Sequence, residues 1–424
     1  MSISKKLGLF AGPIAFLLIL CLPVPEPLNP EAWKVIATAV FMLIWWVTEA
    51  VPIPVAALLP IVCFPFLGVS TTKEAAAPYG SDMVFLFMGG FMLALAMERW
   101  SLHRRIALNI VRLTGTSANG ILLGFMLATM LLSMWISNTA TTVLMLPIAM
   151  SVIHLIAKQV DDQTIGFQRF ALTLMLGIAY SANVGGTATI IGTPPNVVMR
   201  GILEDMYQVE ISFSTWMTLG VPFALTMMVI VYILLVFVLY PNRLGKFEAA
   251  KRLIDREIQE LGPMKKAEIR VLVVFLFTAF AWIVRGPVDK WLEAMIIKDA
   301  GIAILASVLL FIIPVNFKKG EFLLEWRNTE KLPWGILLLF GGGLSLAAAL
   351  NKTGLIQLVG DQFTGTEMTL LILMFTLTFI SLFLTEIMSN LALVTIFLPV
   401  VGGIAIGAGL NPLLLIIPVT LASS

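Results

Sequence analysis

Long apolar runs without a formal charge constrain the fold of this chain more than any other feature. The runs are residues 7–25, 50–72, 113–157, 170–199, 211–242, 301–317, 332–351, 368–385 and 387–424. Several of them exceed the roughly 20 residues that cross a bilayer as a helix. Because only helices and closed barrels satisfy every backbone hydrogen bond in lipid, runs of this length predict an all-α polytopic membrane protein.

The composition supports lipid as the main solvent and argues against several functions. Of the 424 residues, 59% are hydrophobic and 12% are charged, which leaves too little polar surface for a water-soluble domain. The net charge of +2 is too small to suggest a nucleic-acid partner. A membrane enzyme would require a nucleophile with a base or clustered metal ligands, and the two histidines lie near no acidic pair. We therefore expect no enzymatic activity.

The charges at the start of the chain predict its orientation. Lys5 and Lys6 precede the first apolar run, and Glu26 and Glu31 follow it. Basic residues favour the cytoplasmic side of a membrane, so the N-terminus is predicted to be cytoplasmic. The first run lacks a clear small-residue cleavage site and is interpreted as a span. We expect a multi-pass protein of the bacterial inner membrane, in contact with membrane lipid.

The chain divides into two similar halves. We interpret residues 1–240 as a first membrane repeat, 241–270 as a cytoplasmic linker and 271–424 as a second repeat that is incomplete at its end. The linker is rich in Lys and Arg, which is typical of a solvated cytoplasmic segment. Ser137-Asn138 of the first half recurs as Ser389-Asn390 in the second. Repeats of this kind are typical of transporters with a shared site at the midplane.

Residues 117–156 are predicted to form a re-entrant hairpin with a polar tip. The apolar run 113–157 is too long for one span, and Ser133, Ser137 and Asn138 lie at its centre. Irregular backbone at this depth is tolerated only where it is buried in protein or lines a wet cavity. Hydroxyl and amide oxygens, together with carbonyls freed at a helix break, are neutral ligands suited to Na⁺.

A second hairpin is predicted for residues 368–402. Its tip contains Thr385, Ser389 and Asn390, so a hydroxyl again precedes a Ser-Asn pair by four residues. Either tip alone could supply interhelical hydrogen bonds instead of a binding site. Two matched tips favour a pair of cation sites.

Residues 170–200 are predicted to form a broken helix. Adjacent glycines at 185–186 and adjacent prolines at 194–195 are unfavourable in an uninterrupted helix. A kink that serves packing alone is the alternative interpretation. The nearby hydroxyls of Ser181, Thr187, Thr189 and Thr193 favour a binding segment.

These motifs together resemble the divalent anion/sodium symporter family over essentially the whole chain. The matching segments are Trp-Val-Thr-Glu-Ala-Val-Pro at 46–52, Ser137-Asn138-Thr139, Gly185-Gly186 followed by Gly192-Thr193-Pro194-Pro195-Asn196, and Ser389-Asn390. The resemblance implies an inverted-repeat, elevator-type transporter with about ten or eleven spans and two re-entrant hairpins. It also implies a homodimer, Na⁺ as coupling ion, and transport of succinate, malate, fumarate, citrate or sulfate.

The resemblance also implies roles for individual residues. It places Ser133, Ser137, Asn138 and the carbonyl of Gly186 around one sodium, and Thr385 and Asn390 around a second. The residues implied for the substrate are Asn138, Thr139, Thr187 and Asn390, with Thr193 and Pro194 shaping the break beside it.

The chain departs from the family pattern in two places. Leu391 stands where well-known bacterial dicarboxylate carriers have threonine, so one hydroxyl contact to the substrate is expected to be missing. The sequence also ends before any second Thr-Pro-Pro-Asn-like segment, and we expect a truncated carrier. An anion exchanger, an inactive truncated carrier and a non-transporting scaffold or receptor therefore remain alternatives to a sodium symporter.

Overall fold

The computed structural model describes residues 2–160, 164–292, 297–365 and 369–424, and nearly all of its secondary structure is helical. The helices in the first part of the chain are α1 (Ile3–Cys21), α2 (Pro30–Thr48), α3 (Ile53–Ala56), α4 (Leu59–Phe66), α5 (Thr72–Ala76), α6 (Asp82–Arg99), α7 (Leu102–Leu113), α8 (Ala118–Ser133), α9 (Asn138–Ala157), α10 (Ile165–Thr187), α11 (Pro194–Tyr207) and α12 (Phe213–Ile233). A 3₁₀ turn at Ala77–Gly80 joins α5 to α6, and α12 continues into a π-helical segment, Leu234–Leu239.

The second part of the chain adds eight helices and one small hairpin. The helices are α13 (Glu248–Leu261), α14 (Lys266–Leu292), α15 (Asp299–Ile312), α16 (Trp334–Lys352), α17 (Leu355–Asp361), α18 (Leu370–Leu384), α19 (Asn390–Gly407) and α20 (Leu413–Ala422). Two short antiparallel strands, β1 (Pro314–Asn316) and β2 (Glu321–Phe322), were not predicted. They flank a 3₁₀ turn, Phe317–Lys319, and a further 3₁₀ helix follows at Trp326–Lys331.

The predicted fold class is confirmed. Within the part of the chain that the structure describes, nine helices are long and apolar enough to cross a bilayer. Many of their large apolar side chains face outward, as in α1, which has only two buried residues. A water-soluble protein does not expose such continuous apolar faces, so the helices define an all-α, multi-pass membrane protein.

Single hydroxyl side chains determine where several helices begin inside apolar sequence. Ser117 accepts a hydrogen bond from the amide of Gly120 at the start of α8 (3.0 Å). Ser212 accepts one from the amide of Thr215 at the start of α12 (3.1 Å). The first amides of a helix have no intrahelical acceptor, and unpaired amides are costly in an apolar environment. A polar cap therefore localises each helix start.

The chain forms two compact units that do not follow the order of the sequence. The first unit consists of Met1–Phe87, Pro194–Ile211 and Pro333–Ser424, and the second of Met88–Thr193 and Ser212–Leu332. The division into repeats at 1–240, 241–270 and 271–424 describes similarity along the sequence and stays a prediction.

Close helix packing in the first unit relies on small residues of α16 and α19. A side chain at Gly342 would meet the carbonyl of Ala57, and one at Gly402 would meet the ring of Tyr207. Phe340 packs edge-on against Phe87, with ring centroids 5.0 Å apart. Glycine lets the backbones approach because it presents no Cβ, as is typical of membrane helices.

In the second unit α8 packs along α10 and supports the predicted tip and helix break. Gly177 of α10 lies against the side chain of Met126, and Gly185 lies against the carbonyl of Met130. Met126 and Met130 form a buried cluster with Met228 of α12. Flexible methionine side chains fill irregular space between packed helices.

The charged segment predicted as a linker contains an amphipathic helix. Ala250 and Ile254 of α13 are buried. Two of its acidic residues pair with α7. Arg112 Nε lies 2.9 Å from Asp255 Oδ1, and Arg104 contacts Glu257. Next to them Arg105 pairs with Glu268 at the start of α14.

Replacing Arg105 by methionine is expected to destabilise the protein by about 3 kcal/mol, because Glu268 would stay buried without its cation. The side chains of Arg105 and Glu268 are 14% and 4% exposed. The control is Arg256→Met, whose side chain is 77% exposed and whose loss should change stability by less than about 1 kcal/mol. Thermal unfolding in detergent measures both variants. Equal melting temperatures for the two would contradict the prediction.

Candidate functional site

The first predicted tip is a four-residue break between two helices of the second unit. Helix α8 ends at Ser133, helix α9 begins at Asn138, and residues 134–137 join them. Ser137 caps α9, since its hydroxyl accepts a hydrogen bond from the amide of Ala140 (3.4 Å). The break thus leaves carbonyls of one helix end beside the amides of another helix start.

Three neutral oxygens converge at this tip. Ser133 Oγ lies 2.7 Å from Asn138 Oδ1 and 2.7 Å from the carbonyl oxygen of Ala182 on α10. The side-chain nitrogen Nδ2 of Asn138 donates a hydrogen bond to Asn183 Oδ1 (3.2 Å), which turns the side-chain oxygen of Asn138 toward Ser133. A hydroxyl has one proton, so Ser133 can donate to only one of its two acceptors at a time. A hydroxyl, an amide and a carbonyl oxygen are ligands that hard cations prefer.

The helix break after α10 packs directly on the tip. A side chain at Gly186 would meet the amide oxygen of Asn138. A Cβ at Gly192 would lie 2.5 Å from the carbonyl oxygen of Gly186 and 3.0 Å from that of Ser133. Gly186 therefore permits the close approach of the Asn138 side chain, and Gly192 that of two backbone carbonyls, where any other residue would prevent it.

Thr189 fixes the break to the tip. Its hydroxyl lies 2.5 Å from the carbonyl oxygen of Met134 and accepts a hydrogen bond from the amide of Gly192 (3.1 Å). Thr189 is fully buried. Tip and break are therefore one hydrogen-bonded structure.

The other predicted residues of this region differ in their surroundings. Thr187 is buried and its hydroxyl donates to the carbonyl of Val184 (2.7 Å). Thr139 is exposed in the first turn of α9. Thr193 is buried at the end of the second unit, and Pro194 is the first residue of α11 in the first unit. The roles predicted for these four residues stay predictions.

The second predicted tip, in the first unit, repeats the construction of the first. Thr385 directly follows α18, and its hydroxyl lies 2.7 Å from Asn390 Oδ1 and 3.1 Å from the carbonyl oxygen of Ser423. Ser389 caps α19 by accepting a hydrogen bond from the amide of Ala392 (3.2 Å). The predicted hairpin began at Met368, which lies outside the described residues.

Each tip therefore presents a hydroxyl at a helix end, an asparagine oxygen at the next helix start and a carbonyl oxygen from a third segment, α10 in the first tip and the end of α20 in the second. The hydroxyl-to-amide distance is 2.7 Å in both tips. The two carbonyls, of Ala182 and Ser423, were not predicted. Main-chain carbonyls leave no signal in a sequence, because every residue type has one. Within the described ranges, no group of three or more His, Cys, Asp or Glu side chains could hold a metal ion.

The helices and the two matched tips define an all-α, multi-pass membrane transporter. The particular family follows from comparison with known proteins. The transmembrane region of the sodium:sulfate symporter family matches residues 4–424. The chain belongs to that family, as the sequence motifs predicted.

Relatives from two bacterial species agree with this assignment. The sodium-dependent dicarboxylate transporter SdcS of Staphylococcus saprophyticus is 39% identical over 428 residues, which cover 100% of this chain and 82% of the relative. The transporter of the same name from Staphylococcus aureus strain bovine RF122 is 39% identical over 429 residues, with the same coverage. These relatives are transporters and not enzymes, which agrees with the expectation for this chain.

Proposed function

We propose that this protein is a sodium-coupled symporter of small divalent anions, the C4-dicarboxylates succinate, malate and fumarate, and citrate. One observation carries the proposal: a hydroxyl and an asparagine oxygen lie 2.7 Å apart at each of two equivalent tips. The family and the names of the bacterial relatives support the cation and the substrate class.

The first tip has the composition of a sodium site. Ser133, Asn138 and the carbonyls of Ala182 and Gly186 offer neutral oxygens, and Ser137 holds the start of α9 in place. A monovalent cation does not require an anionic ligand, since several oxygen dipoles can replace its hydration shell. A cation bound here would also break the hydrogen bond from the Ser133 hydroxyl to the Asn138 oxygen, because both oxygens would then face the cation.

The second tip offers Thr385, Asn390 and the carbonyl of Ser423 to a second cation. The side chains of Thr385 and Asn390 are partly exposed.

The substrate carboxylates would bind at the helix starts. Asn138 and Thr139 open α9, and Asn390 opens α19. Free amides and the positive end of the helix dipole favour an anion at such positions. Thr187, Thr193 and Pro194 would shape the broken segment beside the substrate.

Coupling would arise because Na⁺ orders both tips and offsets the charge of a dianion. We place the chain in a bacterial inner membrane with a cytoplasmic N-terminus, as a homodimer surrounded by lipid. Each of its two repeats contains a hairpin, and a broken helix follows the first hairpin. The protein would move the bound substrate by an elevator mechanism of alternating access.

Purified protein in liposomes is expected to accumulate labelled succinate when Na⁺ is outside, and not when K⁺ replaces it. Empty liposomes are the control. The driving force is the sodium gradient, so collapsing it with a sodium ionophore should abolish accumulation. Equal uptake in K⁺, accelerated by succinate preloaded inside the liposomes, would contradict symport and support the anion exchanger.

A further inference from the structure

We propose that the start of α12 supports the first oxygen cluster, with Trp216 and Phe213 as positioning residues and Asp299 as their buried anchor. The inference rests on the proposed function, because it concerns how well the first tip binds sodium. It assigns a role to residues that touch neither ion nor substrate.

Trp216 contacts the helix break directly. Its indole Nε1 donates a hydrogen bond to the carbonyl oxygen of Thr187 (3.0 Å), and the side chain is almost fully buried. One turn later, a Cβ at Gly220 would lie 2.8 Å from the same oxygen and 2.7 Å from the carbonyl oxygen of Ala188. Helix α12 therefore presses its backbone and one indole against the residues that directly follow Gly186.

Phe213 connects α12 to the hairpin tip. Its ring stacks on Trp135, which lies between Ser133 and Ser137, with centroids 6.0 Å apart and an interplanar angle of 25°. Phe275 packs edge-on against Trp135, with centroids 4.9 Å apart. Aromatic pairs of this geometry hold their rings in defined orientations. The tip is thereby held from outside the oxygen cluster.

Asp299 fixes the position of Phe213. The Phe213 amide donates to Asp299 Oδ2 (3.1 Å), and Arg285 Nη1 lies 3.0 Å from Asp299 Oδ1. Trp282 stacks on Phe213 with centroids 4.8 Å apart and donates from its indole to the Asp299 carbonyl (3.0 Å). Asp299 is fully buried and Arg285 nearly so. A buried charge with several partners has few alternative positions, so the start of α12 is rigidly placed.

The geometry has a specific consequence for ion binding. The carbonyl of Gly186 and the oxygens of the tip must keep their spacing to bind a bare cation, and α12 contacts both elements. Loosening α12 should lower the affinity for Na⁺. It should have a smaller effect on succinate once Na⁺ is saturating, because the bound ion then restores the spacing.

The test compares Trp216→Phe with Trp100→Phe in the proteoliposome assay. Both substitutions remove an indole donor to a carbonyl oxygen in the same unit, but Trp100 donates to Leu323 after the small hairpin (2.8 Å). For Trp216→Phe we expect the sodium concentration at half-maximal uptake to rise roughly three- to tenfold, the effect of one lost hydrogen bond. The KM for succinate at saturating Na⁺ should stay within about twofold.

Phe213→Leu is the second variant, because it keeps the hydrogen bond from the backbone amide to Asp299 and removes only the aromatic stacking. It should shift the sodium dependence in the same direction, and calorimetric titration of Na⁺ without succinate should show the same loss for both variants. An unchanged sodium dependence, or an equal change in Trp100→Phe, would overturn the inference alone. Succinate uptake by the wild-type protein that does not depend on Na⁺ would instead overturn the proposed function.

Discussion

Replacing Asn138 by alanine is expected to lower sodium-dependent succinate uptake about 100-fold. The ion site would lose one side-chain oxygen, and the start of α9 would lose one side-chain N–H donor. The substitution also leaves Ser133 Oγ without the acceptor that now lies 2.7 Å away. The protein should remain folded, since Asn138 is only partly buried. Uptake by purified variants in liposomes measures the effect, with size-exclusion chromatography as the test of folding.

Asn109→Ala is the matched control. Asn109 is an exposed asparagine on α7 whose side chain donates to the carbonyl of Arg105 (2.8 Å). This variant should transport like the wild type. Full sodium-dependent uptake by Asn138→Ala would remove the basis for placing ion and substrate at the first tip.

Gly186→Ala is expected to reduce sodium-dependent succinate uptake about as strongly as Asn138→Ala, although it deletes no ligand. The added methyl group would meet the amide oxygen of Asn138, and the carbonyl of Gly186 itself lies next to Gly192. The Asn138 side chain could move away only by giving up its hydrogen bonds with Ser133 and Asn183. Overpacking a site of this kind costs about 1–3 kcal/mol, roughly a 5- to 150-fold loss in ion affinity.

Two measurements separate this effect from general damage. Gly245→Ala adds the same methyl group where no atom lies within 4 Å, and it should leave transport unchanged. A higher sodium concentration should partly restore uptake by Gly186→Ala, because mass action offsets a weaker site. Wild-type sodium dependence in this variant would show that Gly186 does not adjoin the ion.

The tips show how far local sequence reasoning reaches. The hydroxyl at one helix end and the Ser-Asn pair at the next helix start lie within six residues, so their contact depends mainly on local backbone geometry. The structure brings them together at both tips. The helix break was equally visible, because paired glycines and paired prolines disfavour a continuous helix wherever the segment packs.

The partners of the tips were not visible in the same way. Ser133 contacts the carbonyl of Ala182, 49 residues away, and Thr385 contacts that of Ser423, 38 residues away. Any residue could supply such a carbonyl. Phe213 and Trp216 likewise read as ordinary apolar residues of a membrane helix.

The sequence alone determined that the chain is a helical membrane transporter with two equivalent polar tips, because charge-free length, capping hydroxyls and helix breakers act locally. The tertiary structure decided which distant carbonyls meet the tips. It also decided that the compact units interleave along the chain and that Asp299 and Arg285 anchor α12. Those choices depend on close packing between segments far apart in sequence, which periodicity and composition do not encode.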